Sequence, residues 1–172
     1  MVVWLCGLSG SGKTTIGRLI YARAKPKVPN LLFLDGEDVR SVMGDDLGHD
    51  LEGRRRNSIR IAKLCQLLDG QGIHVICCAM TLAPEAQTSN RARIKSYYEV
   101  FLNVSVEVLA SRDPKGIYKR ALAGELKNVS GVDIPYTPPA QPHLVLDNNM
   151  QREDLAPLVT RILEVAPLEY AS

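Results

Sequence analysis

Apolar residues along this chain fall into short runs separated by longer stretches in which they recur at three- and four-residue steps. The runs Val2–Cys6, Leu31–Asp35, Ile73–Ala79, Glu99–Val104 and Leu144–Leu146 read as buried strands. The spacing between them predicts helices at about Lys13–Ala24, Glu52–Gln71, Ala86–Ser96, Val106–Arg112, Gly116–Ala123 and Arg152–Val165, the first with Ile16, Leu19, Ile20 and Ala22 to Ala24 on its apolar side. Such alternation predicts an α/β fold, a five-stranded parallel sheet with helices on both faces. Pro26 and Pro29 end the first helix, and the four prolines between Pro135 and Pro142 predict an extended surface connection. Residues 113 to 134 combine many charges with Gly116, Gly124 and Gly131, which suits a mobile helical lid on a single domain spanning 1–172.

One segment adds chemistry to this pattern. Gly7-Leu8-Ser9-Gly10-Ser11-Gly12-Lys13-Thr14 is a complete G-x-x-x-x-G-K-[ST] phosphate loop, set between the first strand and the first helix as that motif requires. It makes the fold a P-loop NTPase and assigns nucleoside triphosphate binding to Gly7, Ser9, Gly10, Ser11, Gly12, Lys13, Thr14 and Thr15. Backbone N–H groups of such a loop and the following helix N-terminus face phosphate oxygens, the lysine bridges the outer phosphates, and Thr14 is placed to ligate Mg²⁺.

Composition narrows the rest. The chain has 172 residues and a formal charge of +2, and its pI near 8.4 is too mild to imply nucleic-acid binding. Arg54-Arg55-Arg56 is the one local basic run and reads first as solvated helix surface. The four cysteines show no C-x-x-C spacing, and Cys6, Cys77 and Cys78 lie in apolar runs as small hydrophobes. A reduced, cytoplasmic protein with no leader and no membrane span is the expectation.

Ligands of open α/β sheets gather at the carboxyl ends of the strands. Asp35 ends the second strand in Leu34-Asp35-Gly36-Glu37-Asp38-Val39-Arg40, where a carboxylate can accept a hydroxyl proton or hold a metal-bound water. Asp35 and Asp38 can equally cap the short helix that follows. Arg40, one turn on, offers a fork to a second anion. Arg112, Lys115, Lys119, Arg120 and Lys127 are candidate lid cations, and no guanine-reading Asn-Lys-x-Asp occurs. Transfer of a phosphoryl group to a small acceptor fits this layout better than a GTPase switch.

With the phosphate loop, the Leu34–Arg40 segment, Arg112-Asp113-Pro114-Lys115-Gly116-Ile117-Tyr118-Lys119-Arg120 and Gly124-Glu125-Leu126-Lys127-Asn128-Val129-Ser130-Gly131-Val132-Asp133 in order, the chain resembles the adenylylsulfate kinases nearly end to end. The resemblance implies ATP- and Mg²⁺-dependent phosphorylation of a ribose 3′-hydroxyl on a nucleotide whose 5′ end carries an anhydride-linked anion. It places Asp35 as the base and Lys13 as its catalytic partner, Arg112 at the ATP, and Arg40, His49, Arg54, Asn57, Lys127 and Val129 at the acceptor.

Departures from the family pattern cluster on the acceptor side. Leu47-Gly48-His49 stands for Leu-Gly-Phe and Val129-Ser130-Gly131 for Phe-Thr-Gly, so the two aromatics that sandwich the acceptor adenine are lost. Asn57-Ser58-Ile59-Arg60 stands for Asn-Ile-Arg-Arg, putting Ile59 where an arginine for the acceptor's anion is expected, and Met80-Thr81-Leu82-Ala83 stands for Phe-Ile-Ser-Pro. These changes raise a second reading, a kinase for a pyrimidine nucleotide such as cytidine diphosphoramidate, and a third, a nucleotide-binding module without catalysis. The expected partner in either kinase reading is a small nucleotide acceptor, with a homodimer left open.

Overall fold

A computed structural model describes residues 1–44, 46–81, 84–113, 115–150, 154–166 and 168. Five strands, β1 (Val2–Cys6), β2 (Leu31–Asp35), β3 (His74–Cys78), β4 (Tyr97–Asn103) and β5 (Leu144–Asp147), form one sheet in the order β2-β3-β1-β4-β5. Every pairing is parallel. The carboxyl ends Cys6, Asp35, Cys78, Asn103 and Asp147 therefore share one edge.

Helices α1 (Lys13–Ala24), α2 (Gly36–Val42), α3 (Leu51–Gly70), α4 (Pro84–Arg93), α5 (Val106–Arg112), α6 (Ile117–Leu122) and α7 (Ala156–Val165) connect and cover the strands. The period-two alternation of a strand distributes β1 between two cores. Val3 and Leu5 pack with Ile16 and Ile20 of α1 and Leu158, Val159 and Ile162 of α7. Val2, Trp4 and Cys6 face the other way, onto Val39, Ile61 and Cys65 of α2 and α3. All five β1 residues are buried, which is why this strand reads as a continuous apolar run.

Most boundaries differ from those expected by a residue or two, and a few by more. β4 starts at Tyr97, two residues early, because Tyr97 and Tyr98 pair with Val2 and Val3. The helix expected to reach Ser96 accordingly ends at Arg93. The last helix begins at Ala156, with Pro157 in its first turn where a missing N–H costs nothing; its expected start at Arg152 lies outside the described residues. All four cysteines are free and buried, and burial pushes the Cys78 thiol up to about 12, in keeping with an inert apolar role. Among the described residues no helix is long and apolar enough to cross a membrane.

The expected lid region carries α6 and a small core of its own. Leu8, Val104, Leu109, Tyr118 and Val129 form a buried cluster that docks this segment on the phosphate loop. Asp113 accepts from the N–H groups of Ile117 and Lys119, at 2.8 and 2.9 Å, and so caps α6. Asp133 accepts from Asn128 and Val129 at 2.7 and 2.6 Å, pinning the turn in which Asn128 takes a left-handed φ of 65°.

Candidate active site

The phosphate loop leaves β1 at Gly7 and enters α1 at Gly12. Gly7 has φ 146°, and a Cβ there would lie 2.7 Å from the Leu102 carbonyl oxygen. Gly12 has φ 101°, and its Cβ would come within 3.0 Å of Asn148 Nδ2. Both positions thus demand glycine for conformation and for space. No side chain caps the N-terminus of α1 and no acidic residue occupies its first turn, so its N–H groups and dipole face the loop's concavity, as an anion site requires.

Lys13 is half-buried and its Nζ donates to the carbonyls of Gly7 and Leu8, at 2.9 and 2.8 Å. Burial lowers its pKa, an effect opposed by Cys78, Cys6, Asp35 and Glu37. Thr14 Oγ1 donates to Asp35 Oδ2 at 2.6 Å, while Asp35 Oδ1 accepts from the Glu37 N–H at 3.0 Å. Asp35 therefore takes the capping role and also reaches the phosphate loop. One oxygen caps α2 and the other faces the start of α1, which ties the ends of β1 and β2 together across the crevice. Asp38 is exposed in the first turn of α2 and does not cap it.

The side of the loop toward β5 is closed by contacts the sequence did not announce. Asn148 Nδ2 donates to the Ser11 carbonyl at 3.0 Å, the Tyr118 hydroxyl donates to the Ser9 carbonyl at 2.8 Å, and Arg112 Nη2 donates to the Asn149 carbonyl at 2.8 Å. Arg112 thus ties the end of α5 to the segment after β5, one residue from Asn148. Asn148 follows the carboxyl end of β5, the place where strand-end logic puts ligand-side residues, and that rule was the signal available for it. Thr15 is exposed on the first turn of α1 and Ser11 is fully buried.

On the other flank a small cavity of about 40 Å³ is lined by Gly36, Glu37, Arg40, Arg54, Asn57, Ser58, Ile61, Ala79 and Met80. Arg40 is 4 % exposed and Nη1 donates to the carbonyls of Leu47 and Gly48, at 2.6 and 2.9 Å. Its expected role as a free fork is corrected accordingly: part of the guanidinium anchors the 47–48 loop, and Nε is left without a hydrogen-bond partner among the described residues. Asn57 Nδ2 donates to the Gly36 carbonyl at 3.2 Å. Arg54 Nε donates to the His49 carbonyl at 2.6 Å and Nη2 to that of Asn128 at 2.9 Å, so one guanidinium joins the acceptor-side loop to the lid. Burial lowers its pKa. Of the three-arginine run, then, only Arg54 turns to the crevice; Arg55 pairs with Glu52 on the surface at 2.9 Å, as one helical step of about 100° dictates.

Three further acceptor-side expectations need correction or relocation. Ile59 lies on the opposite face of α3, lining a groove of about 550 Å³ against α4, because it is two positions from Asn57 and side chains two apart on a helix do not face each other. An arginine missing there takes nothing from the cavity. Val129 is 4 % exposed within the lid core and presents almost no surface to a ligand. His49 and Lys127 are exposed, the former contributing its carbonyl to Arg54. Met80 lines the cavity and Thr81 Oγ1 accepts from Trp4 Nε1 at 3.0 Å; Leu82 and Ala83 lie outside the described residues.

The chain is similar to several known proteins. The family model for adenylylsulphate kinase matches residues 1–147. A cytidine diphosphoramidate kinase of Campylobacter jejuni is 39% identical over 163 residues, spanning 95% of this chain and 94% of the relative. An adenylyl-sulfate kinase of Gloeothece citriformis is 37% identical over 163 residues, 95% of this chain and 92% of the relative. Among solved structures, the Mycobacterium tuberculosis APS kinase in complex with AMPPNP and APS superposes with a TM-score of 0.83 at 31% identity, covering 95% of this chain and 96% of that one.

Proposed function

The chain belongs to the adenylylsulfate kinase family, an ATP-dependent phosphotransferase with an alcohol as acceptor, and from that premise we propose that it phosphorylates the ribose 3′-hydroxyl of a nucleotide whose 5′ end carries an anhydride-linked anion. The observation that carries the reading is the 2.6 Å bond between Thr14 Oγ1 and Asp35 Oδ2, which brings a carboxylate to the edge of the phosphate cradle. Gly7 to Thr15 hold the triphosphate, and Arg112 and Asn148 flank it. Asp35 orients the acceptor hydroxyl and takes its proton as the new oxygen–γ-phosphorus bond forms and the bond to the β–γ bridging oxygen breaks, releasing ADP. Lys13 turns from its two loop carbonyls to the moving phosphoryl group, where its charge is worth most.

Thr14 and Asp35 present a hydroxyl and a carboxylate, the hard oxygen donors that suit Mg²⁺. Thr14 and Asp35 would hold such an ion beside the triphosphate, where it would supply neutralising charge to the phosphates. Arg40, Arg54 and Asn57 form the acceptor flank, and the lid segment of about 113–134, with Lys127, covers it.

Burial of Val129 in the lid core favours a second reading within the same class. With no aromatic platform at that position, an adenine gains no stacking there, a term of about 1–3 kcal/mol, and a cytidine nucleotide like that named for the Campylobacter jejuni relative becomes the alternative acceptor. Coupled ADP release with ATP, Mg²⁺ and either adenylyl sulfate or cytidine diphosphoramidate tests both. Turnover with one acceptor identifies the base; ADP release independent of any nucleotide acceptor contradicts the kinase assignment.

A further inference from the structure

The acceptor-side cavity holds three buried polar atoms that find no hydrogen-bond partner among the described residues: Arg40 Nε, Asn57 Oδ1 and Ser58 Oγ. Their residues are 4 %, 6 % and 5 % exposed, and all three line the same space. Among the described residues the nearest carboxylate oxygen to Arg40 Nε, from Glu37, stands 3.9 Å away, beyond hydrogen-bond reach. Buried polar groups are almost always paired, so three left open in one cavity call for a ligand that pairs them.

The chemistry of the three atoms restricts that ligand. Arg40 Nε can only donate, Asn57 Oδ1 can only accept, and the Ser58 hydroxyl can do either. A terminal group made only of acceptors, such as a sulfate or an ionised phosphate, satisfies Arg40 and leaves the Asn57 oxygen facing another oxygen. A group that carries N–H beside an anionic oxygen satisfies all three. At about 40 Å³ the space takes a group of a few heavy atoms, since one water needs roughly 10–15 Å³ on this measure, and it excludes a base ring. Arg40 and Arg54 together on its wall favour an anion over a neutral ribose hydroxyl.

Resting on the kinase reading above, we propose that Ser58, with Asn57 and Arg40, is a specificity-determining residue that selects an acceptor whose terminal anion bears an amino group, an amidated phosphoryl rather than an all-oxygen or sulfuryl one. Ser58 stands on α3 one residue beyond Asn57, whose amide is already held by the Gly36 carbonyl. That bond commits Nδ2 to a carbonyl and leaves Oδ1 as the acceptor of the amide without a partner among the described residues. Ser58 supplies the second contact to the nitrogen, and Arg40 holds the adjacent oxygen.

The test compares cytidine diphosphoramidate with cytidine diphosphate, which differ only in the terminal nitrogen, as acceptors for the wild type, Ser58→Ala and Ser58→Thr, with kcat/KM read by ADP release and ATP KM as a control on folding. The wild type is expected to prefer the amidated acceptor. Ser58→Ala lowers that preference by about tenfold, near the upper worth of one hydrogen bond, with ATP KM unchanged, and Ser58→Thr, which keeps the hydroxyl, restores it. Equal use of the two acceptors by the wild type overturns the proposal, as does an equal loss on both in Ser58→Ala, the mark of a structural role. An effect of Ser58→Ala that vanishes with 2′-deoxy acceptors assigns the cavity to the ribose and also overturns it. Absence of ADP release with every nucleotide acceptor, adenylyl sulfate included, overturns the kinase reading itself and this inference with it, a result distinct from the others.

Discussion

The two flanks of the crevice are built on different principles. The proposed triphosphate flank is a backbone device: Gly7 and Gly12 sit at φ 146° and 101°, where a Cβ would meet the carbonyl of Leu102 and the amide of Asn148, and the start of α1 carries no side-chain cap among the described residues, leaving its N–H groups for an anion. The acceptor flank is a side-chain device: Arg40 and Arg54 tie α2 and α3 to the loop at 47–49 and to the lid at Asn128, and Asn57 and Ser58 line the cavity beside them. A backbone cradle has one chemistry and binds polyphosphate wherever it occurs. A side-chain pocket can be retuned residue by residue, so substrate change within the fold is expected on the acceptor flank alone.

The sharpest way to break this division is to act on the group shared by both flanks. Asp35→Asn keeps an N-cap residue of equal quality on α2 and removes the proton acceptor. It is expected to lower kcat by about 10²–10⁴-fold with ATP affinity little changed, as read by ADP release and nucleotide titration. A near-normal kcat removes Asp35 from the chemistry.

Gly7→Ala acts on the backbone flank only. A Cβ 2.7 Å from a carbonyl oxygen at φ 146° forces backbone strain of about 1–3 kcal/mol, expected as a fall in Tm of about 2–4 °C for each kcal/mol and as weaker ATP binding. Retained Tm and ATP affinity would show the cradle to be more plastic than its geometry implies.

Arg54→Ala acts on the other flank by cutting the bonds to His49 and Asn128. Acceptor KM is expected to rise roughly tenfold, the worth of about 1.4 kcal/mol in charge-assisted bonding, while ATP KM holds. A matching rise in ATP KM would mean that the lid serves both sites equally.

A smaller effect lies away from the crevice and serves as a control. Glu99, 1 % exposed, accepts from the Tyr97 hydroxyl at 3.0 Å and from Arg91 Nη2 at 3.2 Å, and the Glu99 N–H donates to His143 Nδ1 at 2.9 Å. Burial and then Arg91 lower the His143 pKa below its ordinary 6.5, so the unfolded chain binds a proton that the folded one resists. Stability from this residue is present above pH about 6.5 and is lost as pH falls from there toward the folded value. Glu99, its pKa raised by burial, contributes in the opposite sense above its ordinary value. His143→Asn is expected to flatten the fall in Tm as pH drops below about 6.5 with kcat unaffected; an unchanged slope would assign the acid sensitivity elsewhere.

How much of this was legible in the chain follows the same division. The phosphate loop is local, eight consecutive residues whose spacing fixes the backbone, and β1 and α1 fall where the apolar pattern puts them. The acceptor pocket is assembled from residues up to 92 positions apart, Gly36 to Asn128, and sequence says which residues are present without saying which way they turn. Ile59 was misplaced because a one-residue difference on α3 decides between the cavity and the groove against α4. Val129 reads from the sequence as an acceptor-side position that has lost an aromatic, and its place in the lid core depends on Leu8 and Tyr118, neither near it in the chain. Asn148 and Tyr118 act through backbone carbonyls of the loop, and no residue type in the partner advertises such a contact.

The central claim is that the crevice between the phosphate loop and Asp35 carries a phosphoryl group to a ribose alcohol. Phosphorus–proton correlation NMR of the product made from ATP and a turned-over nucleotide acceptor tests it directly. A new phosphomonoester coupled to the ribose H3′ is the predicted result; inorganic phosphate as the sole product, or a phosphate added to the acceptor's terminal anion, would contradict it.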